Sequence, residues 1–388
     1  MTDTNSTLCL TDSQSKRLHE LQRESFYQHC KRLNCDPISL EAFLLSRSKE
    51  ELRISIEAVE KANGRSFPAM WNEAKEALES NDWWAFNHLK HTIVVKHLFD
   101  QIVTSASTLP IDWEYLGGIA REFELTTPSP SSPESLRKML WSIPHIYQYI
   151  NDFNAFVGRE TLIGNLPCVC IYENLLTASQ FFLDIVMRQV LRLDSPYKAE
   201  LLAVDELENV GSQPGFITVC RSVFDMILGR KEWASIEPSY LLSRSWPEMQ
   251  LPCHLMFFGA TDFVRLHEYG HLLRGHLLKQ QTYDIEFQAD EFAFNAGGSI
   301  YAKLRGASIW SKIGAMGILT IIAFIEMIEH HSSSKTHPLA QQRLIALTRS
   351  GGEESHILFI YVQAMLCVCR KTIESEYGVR YFPTIMKP

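Results

Sequence analysis

The sequence predicts an α+β protein, mainly helical, on three observations. Apolar residues recur at helical spacing through the first 125 residues and again from Asp262 to Glu329. Only two runs, Leu166–Tyr172 (LPCVCIY) and Gly215–Cys220 (GFITVC), have the short, β-branched texture of strands bounded by turn residues. The composition, 46% apolar and 21% charged over 388 residues, belongs to a globular chain that can bury a sizeable core.

In chain order, Glu41–Asn63 and Trp83–Ser105 read as amphipathic helices, the second richer in aromatic residues and His. Then comes TTPSPSSPES, where Pro128, Pro130 and Pro133 cannot continue a helix. This stretch predicts a helical N-terminal domain over 1–126, a loop or linker over 127–134, and a second domain over 135–388. Ser132 before Pro133 predicts an N-cap with Pro in the first helical position. The two candidate strands fall in the second domain, so it carries a small sheet among dominant helices. The longest apolar run, Ile313–Ile325, lies between Lys312 and Glu326. It is shorter than the roughly 20 residues that span a bilayer, which predicts a buried helix and no membrane span.

The formal net charge is −8, which argues against a sequence-independent grip on nucleic acid. The first residues, MTDTNSTLCLTDSQSK, show no basic segment followed by an apolar one, so no secretory signal is expected. Nine Cys without a CxxC pair then read as reduced thiols of a cytoplasmic protein.

The chemistry concentrates at His267-Glu268-Tyr269-Gly270-His271. On a helix, positions i and i+4 share a face, so His267 and His271 can point at one metal ion. Glu268 stands one step round and can act on a metal-bound water. Phe263, Leu266, Gly270, Leu273 and Leu277 form an apolar stripe beside the two His, and Thr261-Asp262 offer a helix start. A catalytic zinc takes three protein ligands and leaves one place for water. His276 fails as the third, because on a continuing helix it lies on the far side from His267, and it reads as a surface residue or one that supports a ligand from behind. A second helix after Gln280-Gln281-Thr282 carries Glu286 and Asp290, again at i and i+4, over its own stripe of Ile285, Ala289, Phe292 and Ala296. Glu286 can complete the set, with Asp284 and Glu291 as alternatives facing other sides. Asp290 can accept the free ring N–H of a ligand His.

HEYGH followed by EFQAD resembles the gluzincin metallopeptidases, closest to the group of the CAAX prenyl endopeptidases and the bacterial heat-shock membrane protease. That group also carries a His-Pro-x-x-x-x-Arg element, which His337-Pro338 through Arg343 fits. The resemblance covers about residues 255–347. It implies a zincin-like catalytic domain, zinc held by His267, His271 and Glu286, and Glu268 as general base. Asp290 would orient a ligand, and His337 and Arg343 would support the site or the oxyanion. The chain departs from that group in lacking a spanning helix and in the 14 residues between His271 and Glu286, a shorter interval than is usual there. On that score it is similar to the Lit-type phage-exclusion peptidases and to repressor-cleaving peptidases of mobile elements. Prenyl-protein processing does not transfer.

The implied function is a soluble zinc endopeptidase acting on a protein or peptide, with stress response or phage defence as an analogy to the Lit type. The N-terminal domain would regulate it or recruit a partner. The competing reading is an interaction protein with a structural zinc, its fourth position closed by a residue such as Cys253. A third is a zinc hydrolase of a non-peptide substrate, which an extended groove with an exposed strand edge would disfavour. GFITVC is the candidate edge. Cys168-x-Cys170 and Cys367-x-Cys369 read as buried thiols, and Trp83-Trp84-Ala85-Phe86 with His88, His91 and His97 as core and helix surface.

Overall fold

A computed structural model describes residues 12–34, 133–148 apart from 142, 153–160, 166–230 apart from 196 and 197, 247–279, 282–301, 307–329 and 338–379, and, with interruptions, 36–49 and 69–122. The N-terminal part contributes α1 (Asp12–Leu33), α2 (Ala69–Glu79), α3 (Trp113–Glu122) and α4 (Pro133–Trp141). The last begins at Pro133, where a missing N–H costs nothing because first-turn amides have no helical acceptor. Most of Glu41–Asn63, all of the linker up to Ser132, and His88, His91 and His97 lie outside the described residues.

Three strands follow: β1 (His145–Gln148), β2 (Ala155–Glu160) and β3 (Leu166–Tyr172). The predicted strand at Leu166–Tyr172 is thus present, and it is the central one. The order is β1-β3-β2, with β1 parallel and β2 antiparallel to β3. β3 is the most apolar of the three, as a strand paired on both sides and covered by helices requires.

Then come α5 (Glu173–Val190), a hairpin of β4 (Leu191–Ser195) and β5 (Lys198–Leu201), α6 (Val204–Gly211) and α7 (Pro214–Ile227). The second predicted strand, GFITVC, is the start of α7. Over 14 residues the buried positions are Phe216, Val219, Cys220, Val223, Phe224, Met226 and Ile227, and all but Met226 follow a helical spacing that six residues are too few to display.

The remainder is α8 (Pro247–Leu273), α9 (Tyr283–Tyr301), α10 (Ala307–Ile328), α11 (Ala340–Ser350) and α12 (Ser355–Tyr377). α8 does not start at Thr261. There the Thr261 hydroxyl bonds back to the Phe258 carbonyl at 3.0 Å, and Asp262 pairs with Arg265 at 3.3 Å, all inside a continuous helix. Nor is α8 buried on one stripe alone: Tyr269 and Leu272 are as enclosed as Phe263, Leu266 and Leu273.

α10 packs on α8, α9, α11, α12 and α5. It is 22 residues long, so the apolar run extends beyond the thirteen counted from Ile313 to Ile325. Two stretches, Ser308–Ile328 and Gly352–Tyr377, are long and apolar enough to cross a membrane by length and composition, with mean hydropathies of 1.7 and 1.3. Burial inside the protein covers 72% of the first window and 56% of the second, so α10 is the more enclosed of the two. Residues of the N-terminal part, Phe26, Phe99 and Leu116, join the same apolar cluster as α8 and α10.

α8 and α10 touch backbone to backbone. A Cβ at Gly314 would lie 2.7 Å from the Met256 carbonyl carbon and 2.9 Å from the Ala260 nitrogen. Gly314→Val should therefore destabilise the fold by about 3 kcal/mol or more. Urea unfolding checks this, and an unchanged midpoint would mean that the two helices can part freely.

Among the described residues, Cys30, Cys168, Cys170, Cys220, Cys253, Cys367 and Cys369 form no disulfide. Cys168 and Cys170 share one face of β3 and pack with Leu18 and Ile146. Phe86 is buried, and Trp84 meets Phe26 edge-on with centroids 5.3 Å apart.

Candidate metal centre

The HEYGH residues occupy the last two turns of α8, and Glu286 lies in the first turn of α9. The two helix ends meet because both are slim where they cross: a Cβ at Gly270 would sit 3.2 Å from the Ala289 Cα. The junction also suits the charges, with a carboxylate at a helix N-terminus and an imidazole at a C-terminus.

The Nε2 atoms of His267 and His271 lie 3.1 Å apart. Glu286 Oε2 is 3.5 Å from the first and Glu286 Oε1 is 3.7 Å from the second. These three side chains offer one ligand atom each within 4.8 Å of one another, and the group could hold a metal ion. Asp284 and Glu291 are exposed and stay outside it, whereas Glu286 is buried. Among the described residues no fourth His, Cys, Asp or Glu joins the group. Cys253 is buried against α5 near Asp184 and Arg188. It stands 14 residues before His267 on the same helix, roughly 21 Å away at 1.5 Å per residue.

Two imidazoles and one carboxylate are a donor set that suits a divalent transition ion. The surrounding charges suit a cation too. Burial would depress His267, but Asp290 and Glu286 outweigh it and push the imidazole up to about 10. Burial, with His267 beside it, takes His271 down to about 3.

His267 Nδ1 lies 2.9 Å from Asp290 Oδ1. Arg343 grips the same carboxylate with two bonds, Nε to Oδ2 at 2.7 Å and Nη2 to Oδ1 at 2.6 Å. Burial alone would raise the Asp290 carboxyl, and the Arg343 guanidinium with the His267 contact reverses that. Arg343 thus touches a residue behind the ligands and acts as a positioning residue for His267. Arg343→Leu would leave the Asp290 charge buried without its guanidinium, and should cost about 3–5 kcal/mol of stability. A thermal or urea transition indistinguishable from wild type would show that the pair carries no such weight. His337 lies outside the described residues.

Glu268 is buried, and burial pushes its carboxyl up to about 6. The Val157 amide of β2 bonds it. This contact follows from the strand register. Tyr172 N–H donates to Asn154 C=O, and Phe156 pairs with Cys170. Bonding groups alternate along an antiparallel pair, so Phe156 and Gly158 turn toward β3 while Ala155 and Val157 turn outward. Among the described residues β2 is therefore an edge strand, and its outward Val157 N–H faces the site. Strand and site together enclose a cleft of about 480 Å³, walled by Phe156, Val157, Leu175, Phe263, Ile318 and Ile322.

Two partners escape sequence reasoning outright, and for a third the sequence left open whether it lies on the surface or supports a ligand from behind. Val157 is one, because an edge is a property of the sheet. The second is the His145–Tyr269 contact behind the motif, beside Tyr147, whose hydroxyl accepts from Arg265 at 3.3 Å. The third is His276. It is buried, its Nδ1 is 3.1 Å from His271 Nδ1, and its Nε2 is 3.2 Å from Gln288 Oε1. A signal for it was present: Gly275 marks a helix C-terminus, after which helical angles no longer apply.

A buried carboxylate beside a group fit to hold a metal, opening on a strand edge, is an arrangement that could activate water against an extended substrate. The class is a candidate hydrolytic centre. The sequence model of a peptidase family, Peptidase U49, that of the Lit protease, matches residues 231–361. That segment is about a third of the chain and contains His267, Glu268, His271, Glu286, Asp290 and Arg343. The match supports a peptidase. No match was found among curated proteins or solved structures.

Proposed function

We propose that the chain is a zinc-dependent endopeptidase with a zincin-like catalytic region. The observation that carries the proposal is the convergence of His267 Nε2, His271 Nε2 and the Glu286 carboxylate beside buried Glu268. When bound, zinc would supply a Lewis acid that lowers the pKa of a water and polarises the scissile carbonyl. Glu268 would take the proton from the attacking water and return it to the leaving amine. Its carboxyl, raised by burial toward neutrality, is matched to both transfers. The Val157 N–H would hold the carboxylate in place. Outward backbone groups of Ala155 and Val157 would align an extended peptide by strand addition. That edge favours a peptide over a small non-peptide substrate. The absence of a fourth protein ligand among the described residues favours an open, catalytic position over a closed structural one.

With this reading go a soluble, cytoplasmic location, a regulatory or recruiting role for residues 1–126, and a place in stress response or phage defence. The burial of α10 and the lack of disulfides among the described cysteines support the first. Phe99, packed edge-on against Tyr269 at 5.1 Å, supports the second by linking the N-terminal part to the motif helix. The third rests on family likeness alone.

The test is a proteome-derived peptide library incubated with zinc-loaded protein, with new N-termini mapped by mass spectrometry. Cleavage should vanish with a chelator and return with zinc. Cleavage that persists after complete zinc removal would sink the proposal.

A further inference from the structure

We propose that His276, which lies outside the ligand set, fixes the tautomer of His271 as the middle member of a Gln288–His276–His271 relay. The relay rests on the metal reading above and determines how tightly the site holds its ion.

The backbone brings His276 back to the site. α8 ends at Leu273, and Gly275 takes φ +65, a left-handed conformation that costs glycine nothing. His276–Leu278 then form one tight helical turn. The reversal is held from outside, since Asp112 N–H donates to Leu273 C=O at 2.8 Å. A Cβ at Gly275 would also come 2.9 Å from Asp112 Oδ2.

Proton order follows from the contacts. Gln288 Oε1 accepts at 3.2 Å, so His276 Nε2 carries a hydrogen. A neutral His276 then has a bare Nδ1, which can only accept. It faces His271 Nδ1 at 3.1 Å, so the His271 hydrogen sits there. His271 Nε2 is left with its lone pair directed at Glu286 and His267 Nε2. The reverse order, with a Gln288 amide hydrogen donated to His276, would drive a hydrogen onto His271 Nε2 and block ligation. A doubly protonated His276 would do the same. One order alone is compatible with a metal, and the side-chain oxygen of Gln288 selects it. Each ligand His thus has its own orienting chain: Arg343–Asp290 behind His267, and Gln288–His276 behind His271.

The experiment measures zinc affinity of the full chain by chelator competition, with the visible spectrum of the cobalt-substituted protein as a second readout. His276→Phe fills the volume without an acceptor and should weaken zinc by about 10–100-fold. His276→Asn places an oxygen near the former Nδ1 and should recover most of that loss. Gln288→Leu, which leaves the imidazole in place, should show a smaller loss in the same direction. Unfolding of the metal-free proteins separates affinity from folding, and Gln288→Leu decides the matter if His276→Phe does not fold. Wild-type affinity in His276→Phe, or in Gln288→Leu alone if His276→Phe does not fold, would overturn the relay, and so would an Asn variant as weak as Phe. Failure of the wild type itself to take up zinc would instead overturn the metal reading.

Discussion

Glu268→Gln should hold zinc as the wild type does, unfold at the same midpoint, and lower kcat/KM by roughly 10²–10⁴-fold on any peptide the protein cleaves. The substitution keeps shape and volume in a buried position. The amide oxygen can still accept from Val157 N–H, so the strand stays where it is. What disappears is the group that, in the proposed mechanism, accepts and returns a proton. Because the atoms that could hold a metal belong to His267, His271 and Glu286, occupancy should be untouched and the loss should fall on the chemical step. The variant should therefore retain bound substrate long enough to identify it. Zinc content, a urea curve and a turnover assay on one preparation settle the question. Turnover at wild-type rate would remove Glu268 from the mechanism.

Elemental analysis of Glu286→Ala should show a sharp fall from the value of about one zinc per chain expected of the wild type. Losing a group that merely orients a ligand costs 10–100-fold in affinity, and losing one of three ligands should cost at least about 100-fold. Asp290 cannot substitute, since it is committed to Arg343 and to His267 Nδ1. Asp284 and Glu291 face solvent. A variant that keeps its zinc would mean that the ion sits elsewhere and would return the weight to an interaction protein.

Much of the candidate site was legible because its pairs are local. His267 with His271, and Glu286 with Asp290, are one helical turn apart, so their faces follow from 1.5 Å and 100° per residue, about the geometry of any α-helix. The stripe of Ile285, Ala289, Phe292 and Ala296 is buried as that geometry requires. Errors arose where a short window was asked a long-range question. GFITVC became α7 because its burial partners lie a turn or two beyond the six residues read. Thr261-Asp262 carries the residue types of a helix start, but α8 begins at Pro247 and absorbs both inside the helix. The apolar run at Ile313 gained further turns at its ends, so length could not tell a core helix from a membrane one, and what the structure adds is that 72% of its apolar window is buried inside the protein.

By itself the sequence determined which side chains could share a helix face, because that depends only on backbone geometry a few residues long. Only the tertiary structure decided that α9 returns to α8 at Gly270, placing Glu286 between the two imidazoles. It also decided that Gly275 turns His276 back onto His271, and that β2, unpaired on one side among the described residues, presents Val157 to Glu268. These placements join residues far apart in the chain or across a helix end. They are settled by how closely backbones can approach and by which polar groups must be satisfied once buried, and no local periodicity encodes that.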